Sequence, residues 1–202
     1  MTALPPSALV DVAFALQGAA LPRDHAEGLA KALRVRLPWL ESDGYAGIHP
    51  IKLVHGLEES ALLSPRSRLL LRVPVHRVQE LKAMSDCELS VQGSELRLGA
   101  SQVRELLPHA TLYAYKVAAD SADEVSFMAM MARELAQLEI TGEAVCGKHQ
   151  SLMVSGVVLD AFSLMLHGLH PDQSLRLQQH GLGPHRLLGC GVFVPHKSAA
   201  AV

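Results

Sequence analysis

Cysteine is nearly absent: three residues in 202, at positions 87, 146 and 190. They are too few and too scattered for a disulfide framework or a zinc knuckle. Aromatic side chains make up only 4 % of the chain, with one tryptophan. Composition therefore speaks against a protein that reads single strands by stacking many bases. Long apolar runs are missing too: there is no stretch of about 18 apolar residues, and no membrane span is expected. The opening MTALPPSALVDV carries neither a basic region nor an extended apolar segment and does not read as a signal peptide. A reducing, cytoplasmic setting is the expectation. Neither sign of charge is in excess, with Lys plus Arg at 18, Asp plus Glu at 20 and a formal charge of −2. That balance supplies no global basic signal for nucleic acid.

What is present is an apolar content of 49 %, enough for a core, and an unusual 11 histidines. Val10, Val12, Phe14 and Leu16 alternate with Asp11 on the opposite face, predicting a strand that Gly18 ends. Asp24 is placed to cap a helix with Glu27 three residues on, and Leu29, Ala30, Leu33 and Leu37 keep helical spacing up to Pro38. Residues 39–46 read as a loop, and 47–54 (GIHPIKLV) as a short strand that Pro50 confines to an edge or bulge. A strand at about 67–73 follows, then a helix opened by Pro74 and a hairpin over 87–98 turning at Gly93-Ser94. The order is βαββαβ.

The second half repeats that order without repeating the sequence. A strand is predicted at 111–118 and a helix over 121–138, with Val125, Phe127, Met128, Met131, Leu135 and Leu138 on its apolar side. Strand pieces follow near 143–147, 151–157 and 160–166, then a helix from Pro171 to about 179 and a last strand at 188–194. The expected fold is α+β, two tandem ferredoxin-like (RRM-like) units over 1–105 and 106–202. The methionines at 128, 130 and 131 read as core or subunit contact. His167 and His170 are the only histidines near helical ligand spacing, so neither a metal site nor another cofactor is expected.

The most specific local feature is GLGPHRLLGCG, in which Gly181 and Gly183, then Gly189 and Gly191, form two GxG pairs five residues apart. A dinucleotide fingerprint would run strand, glycines, helix; here the first pair follows a helix and the second opens a strand. Such glycines let the backbone approach another chain and offer N–H groups to phosphate oxygens, with His185 and Arg186 adding a donor and a fixed charge. The plainer reading is a helix-capping glycine followed by a bulged strand.

The segment GLGPHRLLGCGVFVP resembles the C-terminal glycine-rich loop of the CRISPR repeat-processing endoribonucleases, the Cas-six family. LPRDH after the first strand, GIHPI before the second and the tail GCGVFVP look most like its Myxan subtype. The resemblance implies cleavage of repeat RNA without a metal, by attack of a ribose 2′-hydroxyl on the adjacent phosphate. It also implies retention of the product's 3′ hairpin among other CRISPR effector subunits. Catalytic residues in that family cluster on or after the first helix, where this chain offers His25, Tyr45, His49, Lys52 and His55. A helix N-terminus favours neutral imidazole, so His25 suits a base, as does His49; the alternatives are that His25 extends the cap or packs beneath the loop, and that His49 is a plain polar edge-strand residue. Tyr45 would orient the 2′-hydroxyl and Lys52 neutralise the phosphate. The histidine that many relatives carry in the loop itself is not evident in WLESDGYA.

For RNA contact, SPRSRLLLRVPVHR holds Arg66, Arg68, Arg72 and Arg77 without an acid. It reads either as a phosphate-tracking stripe or as a charged edge strand. From residue 161 onward the only acid is Asp172, so positive potential can exist locally despite the near-neutral total. Tyr113 and Tyr115 share a strand face, where packing is the expected role, and shape recognition of a hairpin fits better than base reading. Two rivals stay open: an RNA-handle-binding subunit with degenerate catalysis, and a ferredoxin-like regulatory protein with a structural glycine loop.

Overall fold

The computed structural model describes residues 8–54 and 60–196, and internal contacts divide the chain into one unit of Leu9–Glu105 and one from Leu106 onward. His55 and Lys197 lie outside the described residues. Among those described, no helix is long and apolar enough to cross a membrane.

In the first unit, β1 (Leu9–Gln17) is followed by β2 (Ala20–Pro22), α1 (Ala26–Arg36), β3 (Gly47–Ile48), β4 (Ser60–Leu62) and β5 (Arg68–Pro74). Then come α2 (Val78–Lys82), β6 (Glu88–Val91) and β7 (Ser94–Glu105). The main sheet is antiparallel in the order β3-β5-β1-β7-β6. That is the ferredoxin-like arrangement with one added edge strand, and β2 and β4 form a separate ribbon that periodicity did not signal. Val12, Phe14, Leu29, Leu33, Leu69, Leu71, Leu81 and Leu98 are buried, as their alternating and helical spacings require.

Three boundaries differ from expectation. Asp24 does not cap α1; His25 occupies the cap position without a side-chain capping bond, so the helix starts one residue late. Residues 47–54 are a strand only at Gly47–Ile48, because after His49 donates its N–H to Leu70 the next residue, Pro50, has none to donate. The hairpin turns at Gln92-Gly93 rather than Gly93-Ser94, both with positive φ (50° and 83°), a geometry that matches strand twist.

The second unit runs β8 (Leu112–Ala119), α3 (Glu124–Gln137), β9 (Glu143–Val154), β10 (Val157–His167), α4 (Pro171–His180) and β11 (Val194–Pro195). Its sheet order β11-β8-β10-β9 is again ferredoxin-like. Asp123 caps α3 by accepting the Ser126 N–H at 2.8 Å. The face of α3 bearing Phe127, Met131 and Leu135 closes on Leu112, Ala114, Phe162 and Leu164 of the sheet, whereas Val125, expected on that side, is exposed in the first turn. The three strand pieces expected over 143–166 are two long strands, joined at Ser155-Gly156 where both φ values are positive. α4 buries Gln173, Ser174 and Gln178, whose side chains serve backbone groups of Glu139, His109 and Leu107.

The strand expected at 188–194 is not continuous. Arg186–Leu188 form a 3-10 turn, and left-handed backbone at Gly189 and Gly191 leaves only Val194–Pro195 paired to β8. Gly181 ends α4 with φ +68°, and a Cβ there would overlap both the Arg186 guanidinium and the Gly191 carbonyl. Gly191, at φ +65°, lies so close to Leu182 that a Cβ would overlap its carbonyl oxygen. Both ends of the loop are thus glycine because two backbones cross there. Cys190 beside them is fully buried, and burial pushes its thiol up to about 11 against the pull of Lys116. Gly191→Ala is expected to destabilise the second unit by about 2–4 kcal/mol in urea unfolding. Alkylation at pH 8, negligible at native Cys190, should accelerate in the variant.

Candidate functional site

His25 sits between β2 and the first turn of α1, 9 % exposed, with Nδ1 2.8 Å from the Pro22 carbonyl oxygen. A carbonyl can only accept, so Nδ1 carries the proton and a neutral His25 keeps its lone pair on Nε2. His25 is therefore fixed in one tautomer, of the kind a base requires.

His49 is held differently. Across three strands, β5 places Arg72 opposite Asp11 of β1, and His49 follows directly after β3 on the other side of β5. Arg72 grips Asp11 bidentately, Nε to Oδ1 at 2.8 Å and Nη2 to Oδ2 at 2.9 Å, while His49 Nε2 lies 3.1 Å from Oδ1. Burial raises the Asp11 pKa, but His49 and Arg72 outweigh that and hold its carboxyl well below the usual carboxylate range. Ionised Asp11 accepts only, so His49 Nε2 donates and neutral His49 has its lone pair on Nδ1. Asp11, the partner that orients His49, was missed as a site residue; its signal was a lone charge in an apolar strand.

Tyr45 is half exposed in a turn where Asp43 Oδ1 accepts both the Tyr45 and the Ala46 N–H at 2.8 Å. Lys52 is exposed, and its carbonyl accepts the Ser67 hydroxyl at 2.9 Å. Among the described residues no group of His, Cys, Asp or Glu side chains converges as a metal site.

The four arginines do not form one row. β5 is interior to its sheet, between β3 and β1, and Arg72 is fully buried on Asp11. Arg66 is exposed in the turn before β5, and Arg68 folds its guanidinium onto the carbonyls of Pro65 and Ser67, both at 2.8 Å. Arg77 lies over the Trp39 ring, 4.8 Å from its centroid, and pairs with Glu80 at 2.7 Å.

The glycine loop is tied into its own unit. Its glycine N–H groups are spent inside the chain: Gly181 to Leu177, Gly189 to Arg186 and Gly191 to Lys116 carbonyls, and Gly183 to Glu134 Oε2 at 2.8 Å. Arg186 is buried, and its Nη1 and Nη2 donate to the His180 and Gln179 carbonyls at the end of α4. The exposed tip is Pro184-His185, with His185 in left-handed backbone at φ +67°. Glu134, which anchors Gly183 from α3, carried no sequence signal beyond its charge.

Arg72→Ala would strand the Asp11 carboxylate and is expected to cost about 3–5 kcal/mol, whereas Arg66→Ala at its exposed turn should stay within about 0.5 kcal/mol. Because the folded pKa of Asp11 lies below its unfolded value of about 3.9, its stabilisation is complete above about pH 4 and lost as pH falls below. Urea curves of the native protein and Asp11→Asn across that window should converge on acidification.

A family model described as Cas6 Crispr matches residues 10–198. The CRISPR-associated endonuclease Cas6 of Myxococcus xanthus (strain DK1622) is 34 % identical over 194 residues, 96 % of this chain and 84 % of that protein. A solved CRISPR-associated Cas6 protein superposes with a TM-score of 0.69 at 11 % identity, over 94 % of this chain and 100 % of the other. Thermus thermophilus Cse3, solved bound to an RNA representing a pre-cleavage complex, gives 0.54 at 14 % identity over 92 % and 98 %. The structural likenesses share the fold, while the family match and the close relative, each spanning nearly the whole chain, decide membership: this chain belongs to the Cas6 family.

Proposed function

We propose that the protein is an endoribonuclease that cleaves CRISPR repeat RNA without a metal and retains the 3′ hairpin of its product within an effector complex. The Myxococcus relative's activity supports the nuclease class, and the tautomer of His25 carries the mechanism. RNA supplies its own nucleophile, so a base, a cation and an acid suffice. His25 Nε2 takes the 2′ proton, and the 2′ oxygen bonds to phosphorus as the bond to the 5′ oxygen breaks. The 5′ oxygen takes a proton from water, and protonated His25 returns its proton to solvent. The products are a 2′,3′-cyclic phosphate and a 5′-hydroxyl. Tyr45 orients the 2′-hydroxyl, and Lys52 with Arg66 meets the phosphate charge. His49 is the weaker candidate for the base, since Asp11 and Arg72 already engage it in an ion-paired cluster.

Incubation with its own repeat RNA in EDTA tests the reading. Cleavage is expected, and His25→Ala should lower the single-turnover rate by about 10²-fold or more at unchanged affinity. Binding without cleavage would instead make the protein a handle-binding subunit. Affinity should fall steeply with salt as phosphates are engaged, and salt-insensitive binding would speak against RNA altogether.

A further inference from the structure

The face of the β8–β10 sheet turned away from the helices carries an aromatic line that the cleavage reading does not use. Leu112 and Ala114 point into the core under α3, so Tyr113 and Tyr115 between and beyond them lie on the opposite face. Their rings meet edge to face, centroids 5.0 Å apart and planes at 82°. His196, whose backbone N–H donates to the Thr111 carbonyl, sets its ring 5.4 Å from that of Tyr113. Tyr113 also stands in a cross-strand row between Val194 on one side and Met165, then Val145, on the other. Tyr115 is 39 % exposed and His196 is exposed, which is far more aromatic surface than a strand needs for its own packing.

The strands of this sheet carry Lys116 and Lys148, with Glu143 3.4 Å from His167 and Asp160 2.7 Å from His149. We propose that Tyr113, Tyr115 and His196 form a stacking platform for unpaired bases of the single-stranded RNA that flanks the repeat hairpin. This rests on the RNA-processing reading above and specifies which part of the RNA this face holds. Rings already locked against one another lose little freedom when a base stacks on them, and stacking tolerates any sequence.

The test uses the full chain and two RNAs, the bare repeat hairpin and the same hairpin with an unpaired flank of about eight nucleotides, with octauridylate as a third probe. Tyr113→Leu/Tyr115→Leu keeps apolar strand residues and should weaken binding of flanked hairpin and octauridylate about tenfold or more. Bare-hairpin affinity and thermal unfolding should hold, and Tyr113→Phe/Tyr115→Phe should bind like the native protein. Equal loss on both hairpins, no loss on either, or a native dimer that the Leu variant dissolves without affecting RNA would overturn the platform. Native protein that neither binds nor cuts the bare hairpin would overturn the cleavage reading instead. Tyrosine-dependent octauridylate binding would still uphold the platform in that case.

Discussion

The first unit is organised around one carboxylate. Asp11 stands in a strand that is otherwise apolar, and burying it alone would be prohibitive. Arg72 on the neighbouring strand and His49 beyond it satisfy it, so strands β1 and β5 and the end of β3 are tied by one polar row. Charge pairs of this kind add little net stability over apolar packing, but removing one partner is severe. The row therefore acts as a register lock, since a one-residue slip of β5 would turn Arg72 to the other face and leave Asp11 unpaired. It also assigns roles: Arg72 is withdrawn from any RNA surface, and His49 becomes a member of an ion-paired cluster.

The second unit solves a different problem. Its chain must pass from α4 to the edge of the sheet through a crossing where two backbones nearly touch. Glycine at 181 and 191 permits that approach, and Arg186 uses the opened space to cover the last carbonyls of α4. With the amides of the motif also committed, what the loop presents outward is Pro184-His185. The motif thus contributes directly to building the fold.

Much of the architecture was legible because period-two and period-3.6 patterns are local. The core faces of β1, β8 and α3 follow directly from Val10 to Leu16, Leu112 to Val117 and Phe127 to Leu135. What escaped was set by single backbone groups: Pro50 without an N–H, positive φ at Gln92 and Ser155, and glycines that break the strand expected at 188–194. The histidine at position 25 was legible as a helix-start residue, but its tautomer depends on the Pro22 carbonyl, which only the β2–α1 turn brings within reach.

Sequence alone determined the tandem βαββαβ order, the family likeness of the glycine motif and the residue types able to move a proton near neutrality. Those are properties of spacing and side-chain chemistry along one chain. Tertiary structure decided which of those groups face solvent and which face each other. The four arginines of 66–77 look alike in a string, yet one is buried on a carboxylate 61 residues away, one caps its own turn, one stacks on Trp39 and one stays exposed. Tyr113 and Tyr115 share a strand face, where Tyr113 is half-buried and Tyr115 exposed, with His196 beside Tyr113. Desolvation and pairing act between residues distant in sequence, and so only the folded chain assigns them.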